Sequence, residues 1–397
     1  MKTSISKPLL LVILVITAIV FNSCRGDDEE ITPPGVIPVA PPSLGPVKGF
    51  YLLNEANMGS NKSSIDYFDS ESGYYFRNIY PTINPGVTMK LGDVGNDIQI
   101  YGNKLYAVIN CSHYVEVMDL NTAKHHNSIT ITNCRYIVFD KGYAYVSSYN
   151  GPVQIDPKAP LGSVVKIDTT NMAVVGTCMV GYQPEEMVIK GNKLYVANSG
   201  GYRVPDYDNT VSVIDLNTFK EEKKITVGIN LHRLELDNYG NLYVSSRGDY
   251  KTISSKTYII DTNTDKVTDV LHLLPNSNMT LSGDSLYVYS VEWSHITEKN
   301  TVSYAIVDTR TKKIVTRNFI TDGTEKFIKV PYGLAIHPQT KEIFVTDAKD
   351  YVSPGTLYCF DSKGKKKWQV ITGDIPAHIV FTDKKLQNIE LLSNNQN

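Results

Sequence analysis

Several signatures of dedicated chemistry are missing from this 397-residue sequence. It contains no Gly-rich phosphate loop and no pair of cysteines at C-x-x-C spacing, which removes P-loop nucleotide binding and a zinc knuckle from the reading. Its eight histidines form no repeated ligand pattern. Neither sign of charge dominates: 39 basic residues stand against 41 acidic ones, so no domain-wide basic surface advertises nucleic acid. There is no long amphipathic helix. The only long apolar run, Leu9 to Phe21, is short for a membrane span.

What is present is a repeat. An apolar residue followed by Asp and a polar turn occurs at Phe68-Asp69, Met118-Asp119, Ile167-Asp168, Ile214-Asp215, Ile260-Asp261, Val307-Asp308 and Phe360-Asp361, with gaps of 50, 49, 47, 46, 47 and 53. Upstream of these lies a turn entering an aromatic, β-branched strand, as in Asn192-Lys193-Leu194-Tyr195-Val196 and Asn241-Leu242-Tyr243-Val244. A period near this length built from strands predicts an all-β, seven-bladed β-propeller. The repeated Asp is expected to accept backbone N–H bonds two or three residues on, a structural role, because seven blade ends cannot converge on one metal. Content of 42% hydrophobic residues, with 26 Tyr, suffices to pack blade against blade. Gly49 opens directly on a second-position strand, and Ile375 to Phe381 resembles the first strands, so the C-terminal strand is expected to complete blade one and close the ring. The propeller then spans 49–383, with a peripheral tail over 384–397.

The N-terminus reads as an address. Lys2 and Lys7 precede the apolar run, which ends at Ser23-Cys24, so residues 1–23 are expected to be a signal peptide and Cys24 the lipid-bearing residue. Residues 24–48 then supply the acidic Arg25-Gly26-Asp27-Asp28-Glu29-Glu30 and a proline-rich segment expected to act as an extended stalk. Among the remaining cysteines, Cys111 and Cys134 fall near one rim and are a candidate disulfide; Cys178 and Cys359 fit buried thiols.

Up-and-down blades place the loop between second and third strands on the same face as the link to the next blade. Here those loops are long and the opposite turns short. The long loops carry Tyr114, Tyr149, Tyr202, Tyr207, Tyr250, Trp293 and Tyr351, and the links add Arg135, Tyr136, His232, Arg233, Pro331 and Tyr332. Long loops on one face present a site, and Tyr and Trp there suit a large amphipathic ligand. Candidate contacts are Trp293, Tyr207, Tyr351, Tyr202, Tyr250, Tyr149, Arg135, Arg233, Tyr332 and Asn57, with Gln183, Asn230 and Arg247 as further polar groups. His113, His232, His295 and His378 are the loop histidines in reach of a bound metal centre, and Asp206-Tyr207-Asp208-Asn209 reads as a polar loop.

Leu194-Tyr195-Val196-Ala197-Asn198-Ser199 together with Val213-Ile214-Asp215 resembles YVTN-repeat, YncE-like propellers over roughly 49–383. With the Cys24 signal and the opening Leu53 to Ser60, the chain resembles the surface propeller lipoproteins of Bacteroidetes of the BtuG type. That resemblance implies an outer-membrane, lipid-anchored protein facing outward. It would capture corrinoids such as cobalamin on the long-loop face and deliver them to a TonB-dependent transporter, with no resident cofactor, no metal and no enzymatic activity. Two other classes are weighed: a surface glycan-binding protein stacking sugars on the same aromatics, and a propeller lyase or lactonase, for which Glu185, His232 and His378 near first-strand starts are a sparse ligand set.

Overall fold

The computed structural model describes residues 35–394 except 88–89, 272–273, 295–298 and 388. The signal segment, Cys24, the acidic run and His295 therefore lie outside the described residues. The strands form seven antiparallel sheets, six of four strands and one of five, arranged as the blades of a propeller. Each innermost strand touches the innermost strands of both neighbouring blades, so the ring is closed. Blade one takes its innermost strand from the C-terminus: Pro376–Thr382 pairs with Gly49–Asn54, matching Phe381 to Phe50 and Ile379 to Leu52.

Strand periodicity explains why the repeat has this composition. In Lys193–Asn198, Leu194 and Val196 point into the cluster shared with blade three. Tyr195 and Ala197, one residue out of phase, point into the cluster shared with blade five. The same split generates one apolar cluster at each of the seven blade interfaces. The buried tyrosines also link blades: Tyr51 Oη donates to Leu120 O (2.8 Å), Tyr195 Oη to Asp265 Oδ1 (2.7 Å) and Tyr243 Oη to Thr309 O (3.3 Å). Each reaches the turn after the repeated Asp of the next blade. Those Asp residues accept turn amides as expected: Asp119 from Asn121 and Thr122, Asp215 from Thr218, Asp308 from Arg310 and Thr311, and Asp361 from Lys363 and Lys365.

Four expectations require correction. Part of the anticipated stalk is structure: Val36–Pro38 adds a fifth strand to the outer edge of blade one, pairing with Tyr74–Phe76. Two β-branched residues make the pairing favourable, and an edge strand tolerates the proline. The tail is docked rather than peripheral. Leu386 is buried with its amide donating to Tyr67 Oη (3.1 Å), and Leu392 of the helix Ile389–Asn394 enters the cluster between blades one and two. The Ser290 to Thr301 loop is mostly an extended hairpin, with Ser285–Ser294 and Lys299–Asp308 paired along ten residues and Trp293 opposite Asn300. Finally, Cys111 and Cys134 form no disulfide; all four described cysteines are free. The Cys134 thiol is turned into the blade-two interface and donates to Tyr114 O (3.3 Å), whereas Cys111 Sγ contacts Asn110 Oδ1 (3.4 Å).

Candidate ligand-binding face

The innermost strands begin on the long-loop face, and in six of the seven blades the register shifts there. A bulge bends the strand and re-aims its side chains. The residues at these bulges, Arg135, Tyr136, Glu185, Glu186, His232, Arg233 and Tyr332, consequently gather round the axis. The residue just before several of these strands is left-handed, including Asn133, Gln183 and Asn230 at φ 42°, 48° and 55°. Their buried amides hold the adjoining long loops: Gln183 Oε1 accepts from Tyr202 N (2.8 Å), and Asn230 Nδ2 donates to Gly248 O (3.0 Å). Gln183 and Asn230 therefore anchor loops, although Asn230 Oδ1 is buried without a partner among the described residues. Likewise, Asp208 accepts from Thr210 N in its own loop (3.0 Å) and from Tyr182 N in the link before the strand Pro184–Lys190 (2.8 Å), consistent with a polar loop.

Glu185 is the centre of the mouth. Its carboxylate accepts from Arg135 Nε and Nη2 (3.1 and 2.9 Å), Tyr149 Oη (2.7 Å) and Arg247 Nη1 (3.3 Å). Burial opposes its ionisation, but Arg135 and Arg247 outweigh this and hold its pKa below the usual range. Arg135 also lies over the Tyr149 ring at 5.0 Å, a cation–π contact. Across the mouth, Tyr332 Oη donates to Glu55 Oε2 (2.5 Å), the Tyr332 and Tyr351 rings meet edge-on at 6.1 Å, and Asn57 Nδ2 donates to Tyr351 O. Burial pushes the Glu55 carboxyl up despite the Tyr332 hydroxyl and the nearby arginines.

Deeper in the axis, Tyr136 Oη shares a 2.9 Å hydrogen bond with His232 Nε2, and its ring lies 6.2 Å from that of His378. His378 Nδ1 is 4.0 Å from Asp97 Oδ1. Desolvation drives the pKa of both histidines well below its ordinary value, with the arginines adding to the effect. Desolvation also raises Asp97 to about 7, Glu235 to about 8 and Glu186 upward, the last even with Arg233 Nη1 at 3.4 Å.

Of the candidates from sequence, the axis brings together Arg135, Arg233, Tyr149, Tyr202, Tyr332, Tyr351 and Asn57. Tyr149 is buried, its hydroxyl committed to Glu185, so it supports the mouth and is not a loop-tip platform. Trp293 and Tyr250 are exposed on the blade-six hairpin and blade-five loop; Tyr250 lies close enough to Arg247 to help raise its pKa, and Tyr207 neighbours Tyr250. Glu185, His232 and His378 do converge, but no group of three or more His, Cys, Asp and Glu among the described residues has metal-holding geometry. Sequence reading missed Glu55, Glu186, Asp97 and Glu235. Their only signal was position, on innermost strands and in the blade-one loop. Beside the mouth, a hollow of about 440 Å³ lies among Met58, Cys111, His113, Asn133 and Asn150. A larger crevice of about 1110 Å³ runs along the outer edge of blade one between the added strand and the tail. Its lining, the Asp69 turn and the tail among it, includes none of the convergent arginines or carboxylates.

Residues 48–382, the whole propeller body, match the family described as domain of unknown function DUF5074. The chain belongs to the DUF5074 family. No curated protein matches it. Among solved structures it resembles a quinonprotein alcohol dehydrogenase-like protein from Bacteroides thetaiotaomicron, with a TM-score of 0.55 and 16% identity over 85% of this chain and 78% of that one. It also resembles Kuenenia stuttgartiensis hydrazine synthase (0.54, 18%, 68% and 76%) and the computationally designed Ika8 protein (0.53, 12%, 83% and 91%). At these identities the likeness is one of fold, which hosts many functions.

Proposed function

We propose that this DUF5074 propeller binds corrinoids on its long-loop face without transforming them. The observation that carries the reading is the mouth itself. Three guanidiniums gather there, Arg135 and Arg247 held by the firmly ionised Glu185 and Arg233 by Glu186, and Tyr202, Tyr332 and Tyr351 flank them. A corrinoid is a wide disc with an amide fringe and a phosphodiester. Tyrosine faces and hydroxyls suit the disc and its fringe, and arginine suits the phosphate. A rigid closed ring also needs little ordering on binding, which favours tight affinity. The sequence of residues 1–48 supports display on the outer surface through a lipid on Cys24, and delivery to a TonB-dependent outer-membrane transporter completes the proposed role.

Calorimetry with cyanocobalamin tests the reading. Saturable binding is expected, weakened at least tenfold by Tyr351→Ala combined with Arg247→Ala, since interface aromatics and arginines each contribute about 1–2 kcal/mol or more. Tyr239→Ala, on a short turn of the opposite face, should bind like the parent. Absence of heat and of co-elution at micromolar protein would discard corrinoid capture and leave the exposed aromatics to a glycan.

A further inference from the structure

Below the mouth, the axis holds two buried side-chain nitrogens that find no hydrogen-bond partner among the described residues. Arg233 touches Glu186 only through Nη1, at 3.4 Å; its buried Nε has no hydrogen-bond partner among the described residues. His232 engages Tyr136 through Nε2, while its buried Nδ1 is likewise unpartnered. Both residues are more than nine-tenths buried. They share one chamber, because the Arg233 guanidinium lies 5.3 Å from the ring of the same Tyr136 that binds His232. An acceptor placed at Nδ1 selects the tautomer with the proton there, Tyr136 then donating to Nε2, so that both orphaned atoms serve as donors. Buried polar atoms are nearly always satisfied, and two orphaned nitrogens around one tyrosine call for a partner with several oxygens.

Charge in the chamber points the same way. Side-chain exposure falls from 24% at Arg247 to 13% at Arg135 and 10% at Arg233, a cationic series running from the mouth inward. Glu185 is already bound by the first two. The remaining carboxyls facing the chamber, Glu55, Glu186, Asp97 and Glu235, are disfavoured as anions by burial. Guanidiniums behind low-dielectric walls attract an oxyanion more strongly than they would in water.

We propose that the axial chamber is an oxyanion site of the phosphate class, in which Arg233 Nε and His232 Nδ1 grip the anion after it passes Arg247 and Arg135. The anion is either free phosphate or the phosphodiester of a larger ligand. The site does not depend on the corrinoid reading, and the two fail separately.

The test is calorimetry on the full chain with sodium phosphate, against sodium chloride at matched ionic strength. Cyanocobalamin is run in parallel with cobinamide, a corrinoid lacking the phosphate and nucleotide. Saturable phosphate binding, at least tenfold weaker in Arg233→Gln and unchanged in Arg310→Gln on the opposite face, is the expected result. If Arg233→Gln does not fold, the His232 ring-nitrogen resonances of the unmutated protein decide, since they should move on phosphate addition. Phosphate binding without any response to cyanocobalamin supports a free-anion site and removes only the corrinoid reading. Cyanocobalamin binding at least tenfold tighter than cobinamide, with phosphate competing, supports a ligand-borne phosphodiester. No saturable phosphate signal, together with equal binding of the two corrinoids or of neither, overturns the oxyanion site.

Discussion

Replacing Glu185 with Gln isolates the electrostatics of the mouth with little change in shape. The side chain is 1% exposed and its two oxygens serve five donors: two nitrogens of Arg135 at 3.1 and 2.9 Å, Tyr149 at 2.7 Å, Arg247 at 3.3 Å and Ser199 Oγ at 3.5 Å. Glutamine keeps one acceptor oxygen, turns an amide toward the remaining donors and leaves two largely buried guanidiniums without their counter-charge. Breaking a buried ion pair from one side costs about 3–5 kcal/mol. With a urea dependence of about 3 kcal/mol per molar, reasonable for a large domain, the midpoint should fall by about 1 M or slightly more. The pH dependence has a definite sign. The folded pKa of Glu185 is depressed by Arg135 and Arg247 working against burial, so its stabilisation is present above the unfolded carboxyl range near 4.3 and lost as pH falls through the folded value. The gap between parent and variant should therefore be full at pH 7 and close in acid. Urea titrations followed by fluorescence at both pH values measure it. An unchanged midpoint at pH 7, or a gap that persists undiminished in acid, would refute this account of the mouth.

Truncation before Ile375 removes the innermost strand of blade one and bares the edge of Gly49–Asn54; the product should be insoluble or lose its cooperative unfolding transition, and an unchanged melting curve would contradict ring closure. Glu235→Gln should raise the melting temperature at pH 8.5 and leave it nearly unchanged at pH 4. Burial, with Glu186 beside it, lifts the Glu235 carboxyl to about 8, so the parent loses stability as pH climbs from its unfolded range toward that value, on the order of 2 kcal/mol after solvent screening in the channel. Cys24→Ala should move the protein out of the membrane fraction, and the parent on intact cells should be cleaved by added protease; protection on whole cells would rule out outward display.

Blade number and closure were legible because they rest on local chemistry repeated seven times. A β-strand alternates its side chains between two neighbours, so each blade needs the same Tyr and Val phasing and the same Asp turn, and the Asp spacing counts the blades. The long-loop face was legible for the same reason. What the mouth does with its residues was not. Whether Tyr149 stands at a loop tip or packs onto Glu185, and whether Gln183 and Asn230 face solvent or clamp Tyr202 and Gly248, depends on bulges at the strand entries. Those bulges leave no periodic trace. The carboxylates Glu186, Asp97 and Glu235 acquire their meaning only when seven distant innermost strands meet. The Cys111–Cys134 pairing failed on side-chain direction, since proximity along a rim does not turn two thiols toward each other. The docked tail escaped notice because its apolar residues, Leu386, Ile389 and Leu392, are too few to show a helical period.

Amide hydrogen exchange with and without cyanocobalamin tests most directly the claim that this propeller captures a corrinoid on its long-loop face. Protection is predicted in the loops around Asn57, Tyr202, Tyr250 and Tyr351, with the short turns at Asp119, Asp215 and Asp308 unchanged. Uniform exchange in the two samples, or protection confined to the short turns, would contradict it.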